Sequence, residues 1–194
     1  TVDATGKAAH AGNAHHLGAS AIRAMARWID RAEALTDPAR GVTVNVGTVS
    51  GGTSKNTVPE RCRVEVDFRY VARDDGEAVV RGFEEIAREA ATPGTRIAVA
   101  GGVSRRPLAR TAASAALCAR YGECQRAAGL GDAEAGLVGG GSDASTTADA
   151  GVASIDGLGP RGEGFHTTSE YVELATLAPK AEALVRFLAG MRRP

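Results

Sequence analysis

The sequence predicts an α/β protein with a ferredoxin-like βαββαβ domain over residues 1–107 and an α/β segment over residues 108–194. Amphipathic helices and Val- and Thr-rich strands follow one another in the order strand, helix, strand, strand, helix, strand within residues 1–105. The pattern then changes after RRPLART. A hydrophobic content of 43% in 194 residues is enough to bury one sizeable core or two small ones.

The first three elements of the predicted domain follow from residue spacing. The segment TVDATGKAAHAG is short and punctuated by glycine, and it supplies the first strand. A helix is predicted over residues 18–35, with Ile22, Met25, Ile29 and Ala32 recurring on one face. A strand rich in Val and Thr, VTVNVGTVSGG, follows it.

The strand RCRVEVDFRYV alternates more strictly than any other stretch, which predicts one buried face and one solvated face. Its apolar positions are Cys62, Val64, Val66, Phe68 and Tyr70. A second helix, residues 74–90, is expected to be capped by Asp74 or Asp75. The positions expected on its buried face are Val79, Phe83, Ile86 and Ala90. TRIAVAGGV supplies the last strand.

The connection SGGTSKNTVPE, between the two central strands, is longer than the ~2 to 5 residues of an ordinary hairpin loop. Long loops in compact domains are typically functional or mobile, so this loop is a candidate for a site.

The second half contains fewer elements. We predict a helix over residues 111–130, a buried strand in VASIDGLG and a final helix over residues 173–193, in which Pro179 would be tolerated only in the first turn. Its apolar repeat is Leu177, Ala181, Leu184, Val185 and Leu188. These elements are too few for a free-standing α/β sheet, so the other strands of that sheet are expected to lie outside the chain.

Composition excludes several classes of function. A formal net charge of +0 and a pI near 6.9 give no field that would attract nucleic acid, and no apolar run approaches the ~20 residues of a membrane helix. Cys62, Cys118 and Cys124 are too few and too irregularly spaced for a disulfide framework or a zinc knuckle. We expect structural thiols and a cytoplasmic location.

Three glycine-rich stretches carry the functional signal: KAAHAGN around His10, VGGGSDAS around Asp143 and LGPRGEGFHTTSEY around His166. Each is weak when taken singly, because an isolated histidine is more often an ordinary residue than a ligand. GGGS usually forms a flexible turn, and the lysine of a phosphate-binding loop is absent.

Taken together and in order, five stretches resemble the co-catalytic zinc metallopeptidases that include aminoacylase, glutamate carboxypeptidase, acetylornithine deacetylase and succinyl-diaminopimelate desuccinylase. The stretches are GKAAHAG, GGTSKNTVP, VDFRY, GGGSDAS and GEGFHTTSEY. The resemblance covers the whole chain and implies a lid or dimerisation domain over 1–107 and the C-terminal segment of the catalytic domain over 108–194.

The resemblance also implies roles for individual residues. His166 matches the last zinc ligand, and His10 matches a lid histidine that reaches the partner subunit's active site and can donate a hydrogen bond to an oxyanion. Asn56 matches a second residue offered across the dimer, and Arg106 or Arg69 would hold a substrate carboxylate. A surface ion pair with Asp67 is an equally open role for Arg69. The contacts near the carboxylate end would come from Gly140, Gly141, Ser142 and Asp143.

The family's enzymes need two zinc ions, five ligands and a glutamate base, and this chain matches one of those ligands. The expected protein is therefore part of a homodimeric zinc hydrolase that acts on a carboxylate-bearing amide or peptide, and the chain alone is expected to be inactive. Two alternatives stay open: a non-catalytic dimerisation or small-molecule-binding module, and a regulatory amino-acid-binding domain of similar strand order.

Overall fold

A computed structural model describes residues 1–191 and divides the chain into two compact units, Thr1–Pro107 and a second unit that begins at Leu108. The elements of the first unit are β1 Val2–Thr5, β2 Ala9–His10, α1 Ala21–Glu33, β3 Thr43–Gly51, β4 Thr57–Val58, β5 Arg61–Arg69, α2 Arg73–Ala90 and β6 Arg96–Val99. Four strands form one antiparallel sheet in the order β3-β5-β1-β6, while β2 and β4 pair with each other. This topology confirms the predicted ferredoxin-like fold.

Helices α1 and α2 pack on one face of the sheet and enclose the core of the first unit. The indole Nε1 of the fully buried Trp28 donates to the carbonyl of Phe83 at 3.1 Å, and the two ring centroids are 5.3 Å apart. The strict alternation predicted for β5 is confirmed, because its apolar side chains are buried or half-buried and the intervening ones are exposed. The predicted buried face of α2 is confirmed as well.

Two local predictions for this unit are wrong. Ile22 is 42% exposed, because α1 turns Trp28 toward Phe83 and so buries Ala21 and Ala24 on the side where Ile22 was expected. Neither aspartate caps α2, which begins at Arg73 with Ala72 as its N-cap residue. The carboxylate of Asp75 is buried and forms an ion pair with Arg40, since a buried charge requires a compensating partner.

The second unit contains α3 Ala112–Ala127, α4 Ala144–Asp149, β7 Gly162–Glu163, β8 Tyr171–Val172 and α5 Leu174–Ala189. A capping box begins α3, where the Ser114 amide donates to Thr111 Oγ1 at 3.1 Å and the Thr111 amide donates to Ser114 Oγ at 2.8 Å. The ring of Tyr121 meets Phe187 edge-on at 5.5 Å, which joins α3 to α5. None of the helices in residues 1–191 is both long and apolar enough to span a bilayer.

The buried strand predicted in VASIDGLG does not form, and residues 152–158 have no regular secondary structure. A strand needs a neighbour to satisfy its backbone groups, and the two strands of this unit within residues 108–191, β7 and β8, pair only with each other. Pro179 was also placed wrongly. It is well inside α5, which begins at Leu174, instead of in the first turn.

The apolar repeat of α5 is not its buried face. Leu177, Val185 and Leu188 are 46%, 66% and 56% exposed. The helix instead buries a face of mixed chemistry, which packs on α3: Thr176, Lys180, Ala183 and Phe187.

Lys180 is the charged residue on that buried face of α5. Its Nζ donates to Gln125 Oε1 at 2.8 Å and lies 5.7 Å from the centroid of the Tyr121 ring. Burial, with a smaller contribution from the positive charge of Arg161, lowers the pKa of the Lys180 ammonium group.

We expect the ¹³Cε resonance of Lys180 to titrate below the ordinary lysine value of about 10.4. Because the unfolded state then binds the proton more tightly than the folded state, Lys180 should contribute a positive slope to the free energy of unfolding against pH between the lowered pKa and the ordinary one. NMR titration can separate Lys180 from Lys7 and Lys55, and Lys180→Met should remove both the signal and the slope. A Lys180 signal that titrates at or above the ordinary value would contradict this expectation.

Candidate functional site

The structure brings His10 and Asn56, two predicted site residues, together at one edge of the first unit. His10 pairs with Thr57 in the β2–β4 ladder. The Ala11 amide donates to the carbonyl of Asn56 at 2.8 Å. The long loop after β3 is therefore fixed by the segment that carries His10, and both residues are exposed.

Hydrogen bonds also orient the two side chains. The His10 Nδ1 accepts from the amides of Gly12 and Asn13 at 3.2 and 3.0 Å, so this nitrogen carries no proton and the ring proton is on Nε2. The Oδ1 of Asn56 accepts from the Ser54 hydroxyl at 2.8 Å, which leaves its NH₂ group directed away from that contact. The site thus presents two neutral hydrogen-bond donors.

The two arginine candidates lie in different surroundings. Arg69, at the end of β5, donates from Nε to Asp67 Oδ2 at 2.7 Å, and half of its side chain is exposed. Arg106 is half-buried in the irregular segment that follows β6, and its Nη1 is shielded from solvent. The Tyr70 hydroxyl donates to the carbonyl of Arg105 at 2.7 Å, immediately before Arg106.

The GGGSDAS stretch leads into α4. Gly140 and Gly141 are exposed, and Asp143 is exposed at the N-cap position of the helix without a capping bond from its carboxylate. Ser142 forms the turn instead, because its Oγ accepts from the Ala144 amide at 3.1 Å and its carbonyl accepts from the Ser145 hydroxyl at 2.7 Å.

A hairpin presents His166. The β7–β8 ladder pairs Gly162 with Val172, and the chain reverses between these strands. Among the described residues, His166 is the one non-glycine residue with a positive φ, +64°. A left-handed backbone costs an ordinary residue about 1 to 3 kcal/mol, and such strain clusters at functional sites.

Side chains within the turn hold this conformation. The His166 amide donates to Glu170 Oε2 at 3.2 Å, and the Thr167 hydroxyl donates to the Gly164 carbonyl at 2.7 Å. A Cβ on Gly162 would lie 2.3 Å from the Tyr171 carbonyl oxygen, so the strands can approach only with glycine at this position. An open groove of about 380 Å³ runs beside the hairpin, lined by Pro160, Arg161, Gly162, Phe165, Glu170, Tyr171 and Val172.

Within residues 1–191, no three His, Cys, Asp or Glu side chains come close enough to hold a metal ion. His166 is exposed, and its imidazole is a single candidate ligand. A catalytic zinc ion is usually bound by three protein ligands. The described residues by themselves therefore do not fit a catalytic zinc.

Residues 1–95 match the family model of the peptidase dimerisation domain. This match places an M20 peptidase dimerisation domain in residues 1–95 and confirms the resemblance indicated by the five stretches.

Relatives match the second unit as well. Carboxypeptidase G2 of Pseudomonas sp. (strain RS-16) is 28% identical over 197 residues, which covers 98% of this chain and 46% of the relative. The structure of aminopeptidase PepT from Bacillus cereus ATCC 10987 has 28% identity and a TM-score of 0.73 over 96% of this chain and 50% of that chain. The chain thus spans about half the length of these relatives.

A more distant structure shows the fold alone. The Bacillus subtilis YXEP protein, described as a dinuclear metal binding peptidase of the M20 family, has 17% identity and a TM-score of 0.63 over 96% of this chain and 47% of that chain.

Sequence reasoning did not find three features of the site: the hairpin, the β2–β4 ladder and the bond from Tyr70. The hairpin had a signal in the sequence, since two glycines at 162 and 164 precede an aromatic residue at 171, a pattern that fits two strands in close approach. The hydrogen bond from Tyr70 had no signal in the sequence, because it joins residues 35 positions apart.

Proposed function

We propose that this chain supplies the dimerisation domain and the C-terminal catalytic segment of a zinc-dependent hydrolase that cleaves an amide or peptide bond of a carboxylate-bearing substrate. The observation that carries the proposal is the hairpin with His166 at φ +64°, in a chain similar over 98% of its length to a carboxypeptidase. A dimerisation module without catalysis, the alternative, has no use for a strained and exposed histidine.

His166 is assigned as one zinc ligand in this proposal, and the remaining ligands come from outside residues 1–191. Neutral imidazole is a common zinc ligand, and the turn around His166 presents it at the end of two paired strands. The bond from the His166 amide to Glu170 fixes the backbone that carries the ring. This arrangement limits the motion of the imidazole before metal binds.

His10 and Asn56 are assigned to the substrate. Hydrolysis of an amide places negative charge on the carbonyl oxygen in the transition state, and neutral donors held in advance stabilise that charge. The N–H at Nε2 of His10 and the NH₂ of Asn56 are such donors, since their other polar atoms are occupied within the loop. Arg106 is assigned to the substrate carboxylate, which a guanidinium can bind through two parallel hydrogen bonds.

The complete protein, meaning the product of the open reading frame that encodes this chain, tests the proposal. Purified complete protein is expected to contain two zinc ions per protomer by elemental analysis and to hydrolyse N-acetyl-L-glutamate or a peptide with C-terminal glutamate. Removal of zinc by a chelator should abolish turnover. An open reading frame that encodes no further zinc ligands would refute the proposed hydrolase.

The dimerisation domain indicates a homodimer. Of the two edge strands of the four-stranded sheet, β3 is the candidate for its formation. On β3, an edge strand, the Val46 amide donates to Glu33 Oε1 at 3.0 Å and the Val44 amide donates to Thr36 Oγ1 at 3.1 Å. Side chains thus cover the first half of the edge.

The second half of β3, Thr48–Gly51, carries neither a charge nor a proline, the usual protections of an exposed edge. Val49 pairs with the fully buried Val64 but is itself 64% exposed. Ile22 lies at the same end of the strand, because a Cβ on Gly52 would be 3.5 Å from its Cδ1. We propose that a second copy of the chain pairs with this half-strand and covers both apolar side chains.

Val49→Lys is expected to weaken dimerisation by about 100-fold or more, because a buried ammonium group without a partner costs several kcal/mol. Analytical ultracentrifugation of the chain measures the dissociation constant. Asn45→Lys, an exposed change in the covered half of the same strand, is the matched control and should leave it unchanged. Equal effects of the two substitutions, or an intact dimer of the Val49→Lys variant, would contradict the assignment of this edge.

A further inference from the structure

We propose that Tyr70 is a positioning residue for Arg106, because its hydroxyl group fixes the peptide unit from which the Arg106 side chain extends. This inference rests on the proposed function, in which Arg106 binds the substrate carboxylate. The relevant contacts all lie within the first unit.

The bond from Tyr70 joins two segments that are distant in sequence. Tyr70 directly follows β5, and its hydroxyl donates to the carbonyl oxygen of Arg105 at 2.7 Å across 35 residues. The segment 100–111 has no regular secondary structure, so no strand ladder or helix holds its backbone. A side-chain bond to this backbone therefore contributes directly to its position.

The bonded carbonyl belongs to the peptide unit that begins Arg106. The C=O of Arg105 and the N–H of Arg106 lie in one rigid plane, so a bond that fixes this oxygen also fixes the orientation of that plane. The Cα of Arg106 lies in the same plane, so the bond also restricts the position from which the Arg106 side chain leaves the backbone. Two parallel bonds to a carboxylate require both position and angle, and a displacement of 1 Å at a binding group can cost about 100-fold in rate.

The ring of Tyr70 is itself held in place. It stacks on Phe68 with centroids 5.9 Å apart and an interplanar angle of 22°. Gly76, at the start of α2, also lies against the ring, since an added Cβ there would be 2.6 Å from the ring carbon Cζ. Glycine inside a helix is less favourable than alanine. Its presence where a Cβ would collide with the ring indicates that this position accommodates the ring of Tyr70.

Tyr70→Phe removes the hydroxyl group and keeps the ring. In this variant the amides of residues 100–106 should exchange hydrogen faster than in the parent chain. In the complete protein, affinity for N-acetyl-L-glutamate should fall about three- to tenfold, the loss of one net hydrogen bond. Affinity for the neutral N-acetyl-L-glutaminamide should stay unchanged, an outcome that a general loss of structure would not produce.

Two further variants separate the explanations. Gly76→Ala should displace the ring and reproduce both effects of Tyr70→Phe while keeping the hydroxyl group. Tyr121→Phe is the matched control, because its hydroxyl also donates to a backbone carbonyl, that of Leu158 at 3.3 Å, in the other unit. It should change neither the amide exchange of residues 100–106 nor the affinity for either probe.

Arg106→Gln distinguishes failure of this inference from failure of the proposed function. If Arg106→Gln weakens binding of N-acetyl-L-glutamate, and Tyr70→Phe adds nothing to it in the double variant, the inference is supported. If Arg106→Gln weakens binding while Tyr70→Phe alters neither exchange nor affinity, the positioning role is wrong and the proposed function stands. If Arg106→Gln has no effect, the assignment of the substrate arginine is wrong, and the role of Tyr70 falls with it.

Discussion

Replacing His10 by asparagine is expected to lower kcat of the complete protein by about 100- to 1,000-fold and to change KM little. The Oδ1 of asparagine can accept from the Gly12 and Asn13 amides as Nδ1 of His10 does, so the loop should keep its shape. The variant lacks the N–H at Nε2, which in the proposed function meets charge that develops only in the transition state. The loss should therefore appear in kcat.

His15→Asn is the matched control, since His15 is also exposed and lies on the same segment. Steady-state kinetics with N-acetyl-L-glutamate compares the two variants. Equal losses in both, or a loss confined to KM, would contradict transition-state donation by His10.

Replacing His166 by glycine is expected to abolish zinc binding at its position and at the same time to stabilise the fold. Glycine adopts a φ of +64° without steric cost, so the free energy of unfolding should rise by about 1 kcal/mol. Activity should fall by more than about 100-fold, because residues that only orient a zinc ligand already contribute about 10- to 100-fold. A gain in stability together with a loss of activity is expected where a strained backbone is kept because its side chain is needed for function.

Elemental analysis measures the zinc content of the complete protein, and urea unfolding compares the metal-free forms of the variants and the wild type, because bound zinc would itself stabilise the wild type. His166→Asn, which tolerates a left-handed backbone but has no imidazole, should lose zinc with little change in stability. His16→Asn, at an exposed histidine of the first unit, should alter neither quantity. Full zinc content in either His166 variant would show that His166 is not a zinc ligand.

Mixed dimers of the two variants test whether His10 acts across the interface. A mixed dimer of His10→Asn and His166→Gly subunits has one site with both wild-type histidines only if His10 reaches the partner's site. About half of the dimers are then mixed, with one working site in two, so activity should recover to about a quarter of wild type. No recovery would place His10 in the active site of its own subunit.

Much of the first unit could be predicted because its elements are long and strongly periodic. The alternation in β5 and the apolar face of α2 each extend over enough residues that the periodicity alone indicates which side chains are buried. The prediction failed at Ile22, because the buried face of α1 depends on where Trp28 meets Phe83, a contact between residues 55 positions apart. The cap of α2 failed for the same kind of reason, since Asp75 is engaged by Arg40.

The second unit was harder to predict because the pattern of its apolar residues does not indicate which of them are buried. VASIDGLG has the composition of a buried strand, but backbone pairing requires a neighbour that the described residues 108–191 do not place beside it. The apolar repeat of α5 is likewise exposed at Val185, while the half-polar face with Lys180 is buried. Exposed apolar surface of this kind is typical of a face that another segment covers.

The sequence by itself determined the resemblance to M20 peptidases, the ferredoxin-like order of elements and the residue types at the candidate site, because short ordered stretches such as GKAAHAG and GEGFHTTSEY carry this information locally. Only the tertiary structure decided how the site residues are oriented: which nitrogen of His10 holds the proton, and that His166 stands in a left-handed turn. Orientation depends on hydrogen bonds between backbone and side chains, whose partners are chosen by the folded geometry and not by residue type.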